Sequence, residues 1–343
     1  MKLGKLARGL MFAALVPTIT HAQEVILKVA HFAPPTSPGH VKFVVPWCDK
    51  VAAESAGRIQ CQHYPAMMLG GTAPQLLSQV RDGVADVVWT LPGYTPGRLP
   101  LTEVFELPFI CTDQESSSRA VWDFVEKHTM GEFAGLKPIA VWVPGSFAMH
   151  LRDKELKSLA DLKDLKIRGS SRLTTRLLAS LGARPVGMPM TQMAESLSKG
   201  IIEATMLPWE VVPSTKVHEL TKYSVEFGGE HTMSTTVQMF VMNRKKYDSL
   251  PPELKKVIDD NSGRETSAWI SAQLKTADAA GLQTVIDRGN TVHRLPAEEM
   301  AKWQQATRPV IEEWIEEVSA KGADGRKLYE DAVALVQHHS GRK

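Results

Sequence analysis

The residues whose type and position suggest chemistry in this chain are those of a binding site. Arg168 ends the short run Leu165-Lys166-Ile167-Arg168, and Gly169-Ser170-Ser171 follow it. The run predicts a short strand, and open α/β sheets take ligands beyond the carboxyl ends of their strands. A guanidinium there offers a planar fork of N–H donors that matches a carboxylate. The small residues behind it leave room, and Ser171 adds a further donor. The alternative is a surface arginine paired with Asp164 or Asp161, and position alone does not decide between the two. Trp89-Thr90-Leu91-Pro92-Gly93-Tyr94 and Met206-Leu207-Pro208-Trp209-Glu210 each end another apolar run, and Phe32 directly follows a third. If these ends face one cleft, they wall it with flat rings and apolar side chains. Ordinary core packing is the alternative for Trp89 and Trp209.

Signatures of bond-making chemistry are missing from the pattern. No G-x-S-x-G elbow occurs, and Gly322-Ala323-Asp324-Gly325-Arg326-Lys327 lacks the spacing and preceding strand of a phosphate loop. The first strand runs into Phe32-Ala33-Pro34-Pro35 rather than a G-x-G-x-x-G turn, so a dinucleotide fold has no support there. His338-His339 has no partner at metal-ligand spacing. No catalytic residue, metal site or cofactor is assigned.

The elements that must hold these residues are written twice. Leu77-Ser78-Gln79-Val80-Arg81-Asp82-Gly83-Val84-Ala85-Asp86 and Ala194-Glu195-Ser196-Leu197-Ser198-Lys199-Gly200-Ile201-Ile202-Glu203 share one grammar. A helix stops at a glycine, an acid follows three positions on, and a buried strand begins. Both strands then break at a proline, Pro92 and Pro208, with Tyr94 and Trp209 close behind. Two similar lobes imply a cleft, where small ligands usually bind. In the first lobe, strands are expected at Val25–His31, Arg58–Tyr64, Asp86–Thr90 and Ile139–Val143, alternating with helices at 40–55, Pro74–Asp82 and 115–128. In the second, strands are expected at Leu165–Arg168, Arg184–Val186 and Glu203–Met206, with helices at Thr174–Leu181 and Thr191–Lys199. Thr235–Met242 reads as a strand returning to the first lobe. One or two long helices follow from Pro251, and Trp303, Val310, Ile311, Trp314 and Val318 share a helical stripe. This alternation is that of an α/β protein.

With 343 residues, 43% hydrophobic and 23% charged, the chain has ordinary globular composition and length for two domains of about 150 residues each. Residues 1–22 resemble a secretory signal. Lys2, Lys5 and Arg8 precede the apolar Leu10–Val16, and Thr20-His21-Ala22 closes the segment. That stretch is too short to span a bilayer, which takes about 20 apolar residues. The formal net charge of +2 becomes −1 without those three cations, so nothing favours nucleic acid or an anionic membrane. The mature chain is expected in an exported, soluble form. None of Cys48, Cys61 and Cys111 stands in a C-x-x-C pair. Cys48 on a helix stripe and Cys61 on a strand face meet if that helix packs on that strand; three separate buried thiols are the alternative.

Several segments resemble the DctP-type solute-binding proteins of tripartite ATP-independent periplasmic (TRAP) transporters. They are Leu27-Lys28-Val29-Ala30-His31, Pro65-Ala66-Met67-Met68-Leu69-Gly70-Gly71, Gln79–Asp86, Glu106-Leu107-Pro108-Phe109 and Tyr247–Leu254. The most specific is Leu159-Ala160-Asp161-Leu162-Lys163-Asp164-Leu165-Lys166-Ile167-Arg168. The resemblance implies a two-lobed periplasmic binding protein, class II-like, with crossing strands and a long connecting helix. Lobe I would comprise 23–145 and 234–275, lobe II 146–233 and 276–343. It implies a receptor that closes on a small organic acid and delivers it to the small and large membrane subunits of an ion-gradient-driven permease. Arg168 would clamp the carboxylate, with Met190 and Leu207-Pro208-Trp209 lining the cleft from one side and Phe32, Gln75, Trp89 and Tyr94 from the other.

The chain departs from sialic-acid-binding members, which carry a second arginine about twenty residues before the strand arginine and an asparagine before the lobe-two proline. Here those positions are Ala148, with His150 and Arg152 nearby, and Leu207. The expected ligand is therefore a monocarboxylate with an aromatic or branched apolar body, with His150 or Arg152 meeting a second oxygen such as an α-hydroxy or α-keto group. For Arg152 the alternative is a surface charge beside Asp153. A sensory receptor for the same ligands and an exported hydrolase using His31 or His150 are the alternative functions.

Overall fold

The computed structural model describes residues 25–341, so the signal segment expected at 1–22 lies outside the described residues. In the first half, β1 (Val25–His31), β2 (Ile59–Tyr64), β3 (Val87–Thr90) and β4 (Leu136–Trp142) alternate with α1 (Val45–Glu54), α2 (Leu76–Asp82) and α3 (Gln114–Phe124). The second half contains β5 (Ala148–Leu151), β6 (Lys166–Gly169), β7 (Arg184–Gly187), β8 (Ala204–Leu207) and β9 (Tyr223–Glu226), with α4 (Arg172–Ser180) and α5 (Met193–Ser198). Then β10 (Gln238–Asn243) returns to the first sheet and β11 (Thr291–Arg294) to the second. The strand orders are β2-β1-β3-β10-β4 and β11-β9-β5-β8-β6-β7. β1 is parallel to β2 and β3, and β10 is antiparallel to β3 and β4. In the second sheet β6 is parallel to β7 and β8, whereas β5 is antiparallel to β8 and β9.

The duplicated phrase folds the same way in both lobes. Gly83 and Gly200 have φ of +78° and +70°, the left-handed conformation that glycine adopts without a Cβ clash. The acid three positions later then accepts a backbone N–H from the adjoining strand. Asp86 takes that of Lys28 at 2.8 Å, and Glu203 that of Lys166 at 3.1 Å. Their own N–H groups donate back to the carbonyls of Lys28 and Lys166. Both joints sit at the amino ends of β3 and β8, which leaves the carboxyl ends of those strands to face the partner lobe.

Residues 143–147 between β4 and β5 and residues 227–237 before β10 are two of the crossings between the lobes. Phe147 N–H donates to Ser234 O, tying one crossing to the other. The first sheet is cored by Phe43, Trp47, Phe124, Trp142 and Phe240. The second is cored by Leu151, Ile167, Leu177 and Trp303. Each such fully buried side chain contributes roughly 1.5–3 kcal/mol. Cys48 of α1 and Cys61 of β2 form a disulfide with Cα atoms 5.8 Å apart, and Cys111 is free and buried. Of the two cysteine arrangements left open by the sequence, the structure contains the bridged one.

The tail departs from the expected division. The expected boundary puts residues 276–343 with the second lobe, yet they divide between the two. Helix Ala297–Ser319 has 23 residues and spans roughly 35 Å at 1.5 Å per residue, long enough to cross. Its Trp303 packs in the second core and its Trp314 in the first. Helix Gly325–His339 then follows onto the first lobe through Leu328, Ala332 and Val336. Three helices, not one or two, fill the stretch after Pro251: Pro252–Asp260, Arg264–Lys275 and Asp278–Asp287. Among the described residues no helix is long and apolar enough to cross a membrane.

Candidate functional site

Between the carboxyl ends of the parallel strands lies a cavity of about 40 Å³, walled from both lobes. Phe32 after β1, Trp89 in β3 and Tyr94 beyond it come from the first lobe; Arg168, Met190, Leu207 and Pro208 come from the second. The first-lobe rings brace one another. Phe32 lies 5.0 Å from Trp89 and 5.3 Å from Tyr94 between ring centroids. Gly39 makes room for this cluster, since a Cβ there would stand only 2.2 Å from the Trp89 ring.

Arg168 is the third residue of β6 and is 3% exposed. Its Nε donates to Met188 O at 3.0 Å, and its guanidinium lies beside the Tyr94 hydroxyl, which opposes the downward pull of burial on its pKa. Neither acid proposed as a surface partner reaches it. Asp164 pairs with Arg184, and Asp161 caps the turn at Ser158. Among the described residues Arg168 has no carboxylate partner. A buried cation without a counter-charge is costly, by several kcal/mol, so the position asks for an anion from outside the chain.

Tyr94 spans the cleft. Its hydroxyl accepts the Met190 N–H at 3.2 Å, and burial pushes its pKa up while Arg168 opposes the rise. Glu210 also lines the cavity, with its carboxyl beside Asp278. Burial first, and the neighbouring acid second, hold Glu210 well above the usual carboxylate range. That shift favours the neutral carboxyl of Glu210, and Arg168 is the cationic side chain in the cavity lining.

Five other candidates lie elsewhere. Arg152 is remote because β5 runs antiparallel to β8. Ala148 stands opposite Leu207 at the cleft end, while Leu151 stands opposite Ala204 at the far end. Four residues of strand put Arg152 about 13 Å from the cleft edge, where its Nη1 donates to Leu197 O at 2.6 Å. His150 is fully buried behind the wall. Its Nδ1 faces Ser224 Oγ at 2.9 Å, its ring stands edge-on to Trp209, and burial lowers its pKa to about 4. Trp209 turns its indole away, donating to Glu226 Oε1 at 3.2 Å beside a separate polar pocket. Gln75 is exposed, its Oε1 accepting the Thr72 N–H in a helix cap. Ser171 caps α4 by accepting the Thr174 N–H at 3.1 Å, and Ser170 lines the cavity in its place.

Sequence reasoning missed Gln238, Thr236 and Phe147, which also line the cavity. Gln238 had a visible signal, being the polar residue that opens the apolar run Met239-Phe240-Val241-Met242. Its Oε1 accepts from Trp89 Nε1 at 2.6 Å.

Residues 29–317 match the family model described as DctP, bacterial extracellular solute-binding protein, family 7. A TRAP solute-binding protein from Rhodoferax ferrireducens T118, solved with copurified benzoate, is 44% identical with a TM-score of 0.91, over 92% of this chain and 99% of that one. A marine metagenome TRAP solute-binding protein specific for aromatic acid ligands, solved with 3-hydroxybenzoate, is 40% identical with a TM-score of 0.91, over 93% and 99%. The C4-dicarboxylate-binding periplasmic protein DctP of Rhodobacter capsulatus is 24% identical over 323 residues, 92% of this chain and 93% of that protein.

Proposed function

The chain belongs to the DctP family of bacterial extracellular solute-binding proteins, and on that premise we propose that it is the receptor for a small aromatic monocarboxylate. The observation that carries this reading is Arg168, a buried guanidinium with no carboxylate partner among the described residues, facing a cavity walled mostly by rings and aliphatic side chains. A ligand carboxylate supplies the missing charge, and a flat body lies among Phe32, Trp89, Leu207 and Pro208. Two relatives that share two-fifths or more of the sequence hold benzoate and 3-hydroxybenzoate, which supports the same class here.

Size and polarity favour one ring. The cavity of about 40 Å³ compares with about 10–15 Å³ needed to admit one water molecule, so it suits a compact guest. A many-hydroxyl sugar acid would leave groups unpaired at about 1–3 kcal/mol each. Charge-assisted hydrogen bonds contribute about 1.5–3 kcal/mol each and burial of the ring roughly 1.5–3 kcal/mol. After the cost of immobilisation, dissociation constants at or below about 1 μM are reasonable.

The ligand leaves unchanged in this reading. His150 and Ser224 have the spacing of a base and a nucleophile, but both are fully buried behind the cavity wall. The mature chain starts near Gln23 in the periplasm and passes its ligand to the membrane subunits of a TRAP permease. Calorimetry with benzoate, 3-hydroxybenzoate, succinate and benzamide tests the proposal. The aromatic acids are expected to bind, and benzamide, a neutral near-isostere of benzoate, to bind at least about 100-fold more weakly. Equal affinity for benzoate and benzamide would overturn it, as would a preference for succinate.

A further inference from the structure

We propose that Gln238 is a second ligand-reading residue, whose side-chain NH2 donates to an oxygen of the bound acid, and that Trp89 is the positioning residue that aims it. The inference rests on the aromatic-acid reading above and adds a recognition element to it. An indole N–H only donates. Since Trp89 Nε1 lies 2.6 Å from one end of the Gln238 amide, that end is the carbonyl oxygen and the other is the NH2 group. Gln238 lines the cavity, and among the described residues its Nε2 makes no hydrogen bond.

The backbone fixes this arrangement as firmly as the side chains do. Gln238 opens β10, the strand that returns to the first sheet between β3 and β4, with Met239 opposite Thr90 and Gln238 opposite Trp142. The Trp89 ring is held by Phe32 on one side and by the close approach of Gly39 on the other. The indole cannot swing aside, so the amide cannot turn its oxygen into the cavity without losing its donor. The cavity thus presents a guanidinium from one lobe and a fixed amide donor from the other, and a ligand oxygen that meets both couples its own binding to lobe closure.

The test is calorimetry with benzoate on wild type, Gln238→Met, Gln238→Glu and Trp89→Phe, each at about pH 5.5 and about pH 8, with Arg168→Lys alongside. Gln238→Met keeps the length but removes the donor, and is expected to weaken benzoate about 10-fold or more at both pH values. Gln238→Glu presents a donor when protonated and a competing anion beside Arg168 when ionised. It is expected to bind about 100-fold more weakly at the higher pH and to regain about 10-fold at the lower. Trp89→Phe keeps a ring but releases the amide, and is expected to lose about 3–10-fold. A role in packing alone would leave the protonated Gln238→Glu variant, which regains a donor, binding no better than Gln238→Met at the lower pH. Gln238→Met binding benzoate like wild type while Arg168→Lys fails would overturn this inference and leave the aromatic-acid reading standing. Wild type binding none of the aromatic acids would remove both. Thermal unfolding of the ligand-free variants separates misfolding from lost recognition; if Gln238→Met does not fold, Gln238→Leu, which likewise lacks the donor, takes its place, and unchanged benzoate affinity there overturns the inference.

Discussion

Replacing Arg168 with Met isolates the charge on which recognition turns. Met matches the aliphatic part of the arginine and removes the guanidinium from a position that is 3% exposed and has no acid beside it. In the complex, two charge-assisted hydrogen bonds to the carboxylate disappear at about 1.5–3 kcal/mol each, a total of about 3–6 kcal/mol or roughly 10²–10⁴ in Kd. The ligand-free protein moves the other way. It sheds a desolvated cation whose polar relief is Met188 O and the Tyr94 hydroxyl, so its melting temperature is expected to hold or rise. Two measurements decide. Calorimetry with benzoate reads the affinity, and differential scanning fluorimetry reads the stability with and without benzoate. At 100 times Kd, wild type gains about 2.7 kcal/mol from ligand, whereas the variant at the same concentration gains about 0.4 kcal/mol or less. Arg168→Lys keeps a charge without the planar fork and is expected to lie between the two proteins. An Arg168→Met affinity within threefold of wild type would refute the clamp. A ligand-free melting temperature lowered by many degrees would show that the guanidinium chiefly holds the fold.

Three further outcomes are expected. Burial, aided by nearby Glu103, pushes Glu106 up to about 8. The folded state therefore keeps a proton that the unfolded chain releases near its ordinary value, and the contribution of Glu106 is full in acid and lost as pH rises through about 8. Glu106→Gln should flatten the decline in unfolding free energy across that window by up to about 1.4 kcal/mol per pH unit; unfolding free energies from urea denaturation that fall equally with pH in both proteins would contradict this. Reducing the Cys48–Cys61 bridge should cost about 2–5 kcal/mol, and Cys111 should react with a thiol reagent only after denaturation; rapid labelling of the native protein would count against its burial. Arg152→Ala should lose about 0.5–1.5 kcal/mol of stability through its bond to Leu197 O while benzoate affinity stays within twofold; a large affinity change would place Arg152 at the ligand after all.

What the sequence discloses depends on how local each signal is. Arg168 is legible because a buried strand, a charged terminus and small successors adjoin in the chain. The repeat is legible because Gly83 with Asp86, and Gly200 with Glu203, do the same local work. Strand β5 is hidden, since Ala148-Met149-His150-Leu151 is too short to establish a period. Without β5 its direction is unknown, and counting back from Arg168 then reaches residues near the cleft in number but, for Arg152, remote from it in space. The orientation of Trp209 and the aim of Gln238 depend on pairing between strands far apart in the chain. The final helices read as one block in the sequence because a long amphipathic helix shows which face is apolar, not which neighbour covers each half.

The acid joints at the amino ends of β3 and β8 have a practical implication for sensor engineering. Asp86 and Glu203 fasten these strands at the ends remote from the guest, while Trp89, Leu207 and Pro208 are presented at the other ends. A designer can therefore diversify the presenting ends in a library and keep both fasteners constant, changing what is detected with little cost to the scaffold that reports it.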